Sequence, residues 1–153
     1  MRHHYRFESR WVVDHPRPAV HAVLADVLDY PRWWPQVRRV TQRGERSGDV
    51  VCRSFLPYAL RLRLTATIED PDAGALEVAV GGDLHGWCRW DLGPEGPATR
   101  LVFTQQVEAR SGVLRTAAFG GRPLLEANHA WMMRGCRRGL ERRLSAPGAR
   151  TAR

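Results

Sequence analysis

A strict alternation of apolar and polar residues over 60–68 constrains the fold more than any other feature of the chain. Every second residue from Leu60 is aliphatic, and the residues between them are arginine or threonine. A period of two is typical of a β-strand that has one face in a core and the other in water. The sheet that contains this strand therefore needs a covering layer on one side.

Further segments of period two lie on both sides of this strand. We expect strands at 5–14, 37–43, 49–56, 75–81, 84–92 and 99–109. Turn-forming residues separate them at 44–48, 71–74, 81–82 and 93–97. Because most of these connections are too short for a crossover helix, the pattern favours antiparallel hairpins.

Helical spacing replaces the strand pattern at three places. The first helix has Pro16 or Pro18 in its first turn, and the second covers 29–34 with Asp29 as its N-terminal cap. The third is long, from 123 to 145, and its apolar stripe is the largest surface available to cover the sheet. The stripe contains Leu125, His129, Met132, Cys136, Leu140 and Leu144. We expect one α+β domain over 1–146, irregular structure over 111–122, and a disordered basic tail over 147–153.

The charge and the cysteines limit the function classes. All 24 basic residues are arginine and the net charge is +8, with a local concentration near the end of the last helix. We interpret this charge as a solvated surface, because no compact basic motif with interleaved aromatic residues occurs. Three scattered cysteines fit neither a disulfide framework nor a zinc site. The N-terminus lacks the apolar segment of a signal peptide, and no segment is apolar for long enough to span a membrane, so we expect a cytoplasmic protein.

The order of one strand, two short helices, six strands and a long helix is similar to the helix-grip fold of the START-like, Bet v 1-like superfamily. Three segments resemble motifs of its polyketide cyclase/dehydratase branch. They are DVLDYPRWWPQV at 26–37, GGDLHGWCRWDL at 81–92 and NHAWMMRGCRRGLERRL at 128–144. The resemblance implies a curved antiparallel sheet that wraps the C-terminal helix around an internal cavity.

Inward strand positions and the helix stripe would line this cavity. The apolar candidates are Phe7, Trp11, Leu62, Leu64, Val78, Trp90, Phe103, Met132 and Cys136. Trp33 or Trp34 would either cover the mouth of the cavity or anchor the short helix to the sheet edge. An apolar cavity favours a small hydrophobic ligand, and we expect no cofactor and no metal.

Three polar residues are candidate ligand anchors. His129 lies on the inward stripe, where it would exchange a proton near neutral pH, and Asn128 beside it would orient a carbonyl. The alternative is that His129 is a core histidine with its hydrogen bonds satisfied and that Asn128 bonds to loop backbone. Gln105 shares a strand face with Phe103 and is either a polar group in the pocket or a sign that the strand flattens there.

Four other positions have a predicted role. Gly135 and Gly139 would let the sheet or a ligand approach the last helix closely. Alternation places Arg89 opposite Trp90 on the outer face, although a bulge would turn it inward as an anion binder. Asp83 follows two glycines and fits a hairpin turn better than a catalytic role.

Three functions remain open. The first is a protein that carries or sequesters a hydrophobic metabolite or lipid, because the cavity pattern comes with almost no catalytic constellation. The second is a polyketide cyclase/dehydratase, for which the resemblance implies His129 as general acid/base and Asn128 or Gln105 as carbonyl orienter; such chemistry gains mainly from orientation. A basic surface for RNA or anionic lipid ranks last. The sequence leaves the oligomeric state open between monomer and homodimer.

Overall fold

A computed structural model describes residues 3–53, 59–109 and 121–146 of the chain. The strands are β1 (His3–Val13), β2 (Val37–Gln42), β3 (Ser47–Cys52), β4 (Leu60–Asp70), β5 (Ala75–Gly82), β6 (Leu84–Glu95) and β7 (Ala98–Ala109). The helices are α1 (Arg17–Ala25), α2 (Tyr30–Trp33) and α3 (Gly121–Ser145), with a 3₁₀ turn at Val27–Asp29. The predicted order of elements is confirmed.

The strands form one antiparallel sheet in the order β1-β7-β6-β5-β4-β3-β2. Strands β2 to β7 follow one another as neighbours, and β1 pairs with β7 along its whole length. The pairing register shifts between Val37 and Arg39 and between Ala66 and Ile68. Such bulges bend a sheet locally, so they contribute to its curvature around α3. This is the α+β helix-grip fold that the sequence predicts.

The tightest packing lies at the C-terminal half of α3. The most deeply buried side chains there and in the elements around it are Val13, Val20, Leu24, Thr99, Leu101, Cys136 and Leu140. Towards the N-terminal half of the helix, His129 and Met132 belong to the predicted stripe but are only half-buried. The helix is therefore in full contact with the other elements at one end and incompletely covered at the other.

Two glycines of α3 allow a close approach, but their partner is the segment around α2 and neither the sheet nor a ligand, contrary to expectation. A Cβ atom on Gly139 would overlap the backbone carbonyl oxygen of Trp33. A Cβ atom on Gly135 would overlap the side-chain amide of Gln36. The absence of side chains at these positions therefore sets how closely α2 lies on α3.

Asp29 does not cap α2, contrary to the prediction. Its carboxylate lies 3.2 Å from Nε of Arg143 and 3.3 Å from Nη1 of Arg32. Because the preceding 3₁₀ turn leaves Asp29 with helical backbone angles, it lacks the extended conformation of a capping residue. The contact with Arg143 ties the start of α2 to the last turn of α3.

Several predicted boundaries shift. Strand β6 continues to Glu95, so the turn to β7 contains only Gly96 and Pro97, with Gly96 at a φ of 59°. Strand β3 ends at Cys52, and positions 54–56 of its predicted extension lie outside the described residues. Helix α3 includes 121 and 122, while the rest of the segment predicted to be irregular, 111–120, and the tail 147–153 also lie outside them.

We expect Gly139→Ala to lower the free energy of unfolding by about 1–3 kcal/mol, because the added methyl group must displace the backbone of Trp33. Gly135→Ala is the matched control: the end of the Gln36 side chain can rotate away, and alanine favours a helix by about 1 kcal/mol over glycine. Urea denaturation measures both changes. Equal losses in the two variants would contradict the assigned contact.

Candidate functional site

An apolar cavity of about 220 Å³ lies between the inner face of the sheet and the N-terminal half of α3. The alternating aliphatic residues of β4 form one wall, from Leu60 to Ile68. These side chains are only half-buried although they point into the domain, because part of each one faces the hollow. Ligand sites typically measure roughly 300–1,000 Å³, so a cavity of this size suits a small guest.

Ten of the thirteen residues predicted to bind a ligand line this cavity. They are Trp34, Leu62, Leu64, Val78, Trp90, Phe103, Gln105, Asn128, His129 and Met132. Their positions follow from strand alternation and helical spacing, as the sequence pattern indicates. Contact with a ligand stays a prediction for each of them.

The other three candidates, Trp11, Trp33 and Cys136, do not belong to the cavity wall. Cys136 is completely buried in the tightly packed core at the C-terminal half of α3. The ring of Trp33 is buried against Trp34, with ring centroids 5.9 Å apart. The ring of Trp11 packs on Trp90 at a centroid distance of 5.7 Å and so supports a residue of the wall. All three side chains pack against other residues and do not line the cavity.

Trp34 both lines the cavity and anchors α2. Its indole Nε1 donates a hydrogen bond of 3.0 Å to the carbonyl oxygen of Met132 on α3. Next to it, the buried hydroxyl of Tyr30 donates to the carbonyl oxygen of Leu24. Burial raises the pKa of Tyr30 above its ordinary value, so the hydroxyl keeps its proton and acts as a donor. Tyr30 at the start of α2 and Trp34 directly after it thus attach the short helices to the cavity wall.

Several wall residues are absent from the sequence prediction. Most of them lie on the inward face of a strand at positions that the alternation of the sequence indicates. Leu76 and Val80, for example, are each two residues from the predicted wall residue Val78. Glu69 carries no such signal: the bulge in β4 shifts the pairing so that Glu69 stands opposite the inward Leu76. Because Glu69 is exposed, this part of the wall is the rim of the cavity.

The polar candidates converge on one part of the cavity. Gln105 on β7 stands between Cys88 on β6 and Phe7 on β1. The imidazole of His129 on α3 stacks on the ring of Phe7, with centroids 4.1 Å apart and an interplanar angle of 9°. Phe7 therefore has Gln105 beside it in the sheet and His129 above its ring, and Asn128 is the residue next to His129.

Two buried atoms of this group have no hydrogen-bond partner among the described residues. They are Oδ1 of Asn128 and Nε2 of His129. A buried polar atom that lacks a partner costs about 1–3 kcal/mol. No contact in the described parts of the chain supports the alternative in which these atoms are satisfied within the core. Both residues line the cavity, so a guest is placed to supply the missing bonds.

Burial sets the protonation states in the cavity. It lowers the pKa of His129 to about 4, so the imidazole is neutral at pH 7 and carries one donor and one acceptor nitrogen. This differs from the expectation of proton exchange near neutral pH. Burial also raises the pKa values of Cys52 and Cys88 to about 12, so neither offers a thiolate. The cavity is equipped to hydrogen-bond a neutral group.

Two charged candidates face away from the cavity. Arg89 forms ion pairs on the outer face with Asp91 at 3.0 Å and with Glu77 at 3.6 Å, as alternation predicts. Asp83 accepts a hydrogen bond of 2.8 Å from the backbone N–H of Arg61 beside the β5–β6 turn. In residues 3–53, 59–109 and 121–146, no cluster of histidine, cysteine or carboxylate residues could hold a metal ion. No helix within those ranges is long and apolar enough to cross a membrane.

Comparison with solved structures shows the same fold in proteins from bacteria. The Zhui aromatase/cyclase from Streptomyces sp. R1128 superposes with a TM-score of 0.75 at 17% identity, covering 95% of this chain and 98% of that one. A START superfamily protein from Mycobacterium smegmatis has a TM-score of 0.72 at 16% identity, with coverages of 92% and 97%. At these identities the similarity shows the fold alone.

A third structure has two domains. The di-domain ARO/CYC StfQ from the steffimycin biosynthetic pathway matches at 17% identity with a TM-score of 0.67, covering 94% of this chain and 52% of that one. No curated protein matches the sequence. The family model described as polyketide cyclase/dehydrase and lipid transport matches residues 13–128, which is most of the chain. The chain therefore belongs to the polyketide cyclase/dehydrase and lipid transport family, as its sequence motifs suggest.

Proposed function

We propose that the protein binds a small, largely apolar molecule in this cavity, and that Asn128, His129 and Gln105 hold a polar group of that molecule. The observation that carries the proposal is the pair of unpartnered buried atoms, Asn128 Oδ1 and His129 Nε2, on the wall of an otherwise apolar hollow. Wall atoms beside an empty space also lack dispersion contacts, which a guest restores.

The unpartnered atoms define the guest's polar group. Asn128 Oδ1 is an acceptor and needs a donor, whereas His129 Nε2 donates or accepts according to its tautomer. A phenolic or enolic hydroxyl satisfies both atoms in the tautomer with a proton on Nε2, since it then donates to Asn128 Oδ1 and accepts from His129 Nε2. Flat rings suit the remainder of the wall, where the rings of Trp90 and Phe103 lie 4.7 Å apart. A hydroxylated aromatic or polyketide-like molecule therefore fits best.

The apolar and polar parts of the wall contribute differently to ligand binding. A guest that buries roughly 300 Å² of apolar surface gains about 7 kcal/mol at ~25 cal/mol per Å². Association costs of several kcal/mol leave an affinity of about millimolar or weaker. Apolar contact thus retains a guest weakly, and the hydrogen bonds at Asn128 and His129 provide the selectivity.

A polyketide cyclase/dehydratase activity is the second candidate. It is favoured by the family to which the chain belongs and by the names of Zhui and StfQ, which are an aromatase/cyclase and an ARO/CYC protein. The wall would hold a poly-β-ketone chain so that particular carbons meet, which needs few dedicated residues. With its lowered pKa, His129 would orient an enol through a hydrogen bond more readily than it would accept a proton.

Filling the cavity should abolish binding. We expect 1-naphthol to bind the wild-type protein in a fluorescence titration, and Ala66→Phe on the β4 wall to weaken its binding at least tenfold. The physical reason is that the phenylalanine ring occupies the space of the guest. Thr65→Phe, one residue away on the outer face, is the control and should bind normally. Wild-type affinity in Ala66→Phe would contradict a guest in this cavity.

The polar anchors should discriminate between guests of similar shape. We expect the wild-type protein to bind 1-naphthol about five- to tenfold more tightly than naphthalene, as one net hydrogen bond of about 1 kcal/mol implies. Asn128→Leu should remove this preference, whereas Met132→Leu at an apolar wall position should keep it. Equal preferences in the two variants would show that Asn128 is no anchor.

Native mass spectrometry separates the two candidate functions. We expect gently purified protein to carry an apolar guest whose mass stays constant during incubation. The loss of one water from a bound polyketide chain would instead establish the dehydratase. Protein that carries no guest and binds neither naphthol nor naphthalene would contradict both candidates.

The free energy of unfolding at acidic pH should depend on the buried imidazole of His129. Because burial lowers the pKa of His129 from 6.5 to about 4, the unfolded chain takes up its proton first as the pH falls. Above pH 6.5 His129 has no effect on the pH dependence of the free energy of unfolding. As the pH falls from 6.5 to about 4, the free energy of unfolding decreases progressively, in total by about 3 kcal/mol. We expect His129→Phe to lose less stability than the wild type between neutral and acidic pH in urea denaturation. The exposed His85→Gln is the control, and parallel pH profiles in wild type and His129→Phe would refute a buried neutral imidazole.

A further inference from the structure

Positive charge is concentrated at one corner of the outer sheet face, the face opposite the cavity. Residues 37–63 contain seven of the 24 arginines but only two of the 16 acidic residues. The described residues of this range include β2, β3 and the start of β4, at one edge of the sheet. The charge is therefore unevenly distributed over the protein.

Elsewhere on this face, Arg6 donates to the side-chain amide oxygen of Gln106, and three further arginines have a carboxylate partner. The pairs are Arg10–Glu8, Arg89–Asp91 and Arg100–Glu95. At the β2–β4 corner, in contrast, Arg43 and Arg63 share the single carboxylate of Asp49, at 2.6 and 2.9 Å. Their hydrogen bonds lower the pKa of Asp49 to about 2, so this carboxylate stays ionised and is already engaged.

Arg39 and Arg61 have no carboxylate partner among the described residues. Both stand opposite Val51 in the register, Arg39 from β2 and Arg61 from β4. Their Cα atoms are about 10 Å apart, since neighbouring strands are separated by about 4.8 Å. Paired positions point to the same side of a sheet, so two long cationic side chains flank a short valine.

The two arginines are part of an open groove of about 650 Å³. The hydroxyls of Thr41 and Thr65 lie along it, and Gly81 adds no side chain to its floor. Four arginines line the groove against the one carboxylate of Asp49. Asp83 is nearby, but its carboxylate bonds to the backbone N–H of Arg61.

The chemistry of the groove selects a particular anion. Its described wall residues supply four guanidinium groups, two hydroxyls and the imidazole of His85, but no Phe, Tyr or Trp ring on which a nucleic-acid base would stack. Guanidinium groups recognise phosphate oxygens with paired, charge-assisted hydrogen bonds. We propose that the groove between Arg39 and Arg61 binds a phosphate-class dianion, either as a free phosphate ester or as the head group of a lipid.

Calorimetric titration of the full chain with inorganic phosphate, in low-chloride buffer at pH 7.5, tests the site. We expect saturable binding that weakens about tenfold in Arg39→Gln and in Arg61→Gln, since each removes a charge-assisted hydrogen bond. Arg100→Gln is the matched control, because this arginine lies on the same face and already has a carboxylate partner. The proposal is overturned if phosphate produces no more heat than chloride of equal ionic strength, or if Arg100→Gln loses as much affinity.

Vesicle sedimentation distinguishes the two sources of phosphate. Binding to phosphatidic acid in phosphatidylcholine vesicles that depends on Arg39 and Arg61 identifies a lipid head group. Phosphate binding without vesicle binding identifies a soluble ester. Binding to single-stranded RNA alone, with the steep salt dependence of many phosphate contacts, would replace the proposal with a nucleic-acid surface. Affinity for 1-naphthol should stay unchanged in both arginine variants. The 1-naphthol titration therefore tests the cavity proposal independently of the groove proposal.

Discussion

The architecture of the cavity depends on how α3 is held. The helix is fixed at its C-terminal half, where Gly139 admits the backbone of Trp33, Cys136 is completely buried and Arg143 pairs with Asp29. A straight helix that is fixed at one end against a curved sheet diverges from the sheet at the other end. The hollow beside His129 and Met132 therefore follows from the tight packing below it.

The chemistry of the hollow follows from the same geometry. Removal from water keeps the imidazole of His129 neutral and the thiols of Cys52 and Cys88 protonated, so the wall has little acid–base or nucleophilic power. It retains unpartnered hydrogen-bonding atoms that stand at fixed positions on a helix. Such a wall is suited to positioning a guest, which is consistent both with ligand carriage and with a reaction that is governed by orientation.

The family resemblance predicted the helix-grip fold and its cavity. Alternation and helical spacing predicted the order of elements and most of the cavity wall, because each pattern indicates which side chains turn inward. They could not predict where the inward side of α3 meets open space, so Cys136 was assigned to the wall although it lies in the packed core. Glu69 reaches the rim through a bulge that breaks the parity of β4. Asp29 was misassigned because a capping role and a distant ion pair with Arg143 require the same residue type.

The sheet is a single layer, so the two faces of β4 contact two different environments. Leu62 and Leu64 contribute to the apolar hollow, while Arg61 and Arg63 line the basic groove on the reverse side. Substitutions at odd and even positions can thus alter one environment and leave the other intact. Insertion of one residue within β4, between Leu60 and Arg61, would exchange the two faces on one side of the insertion, turning guanidinium groups into the interior and leucines towards water, so alternation constrains the length of this strand as well as its composition.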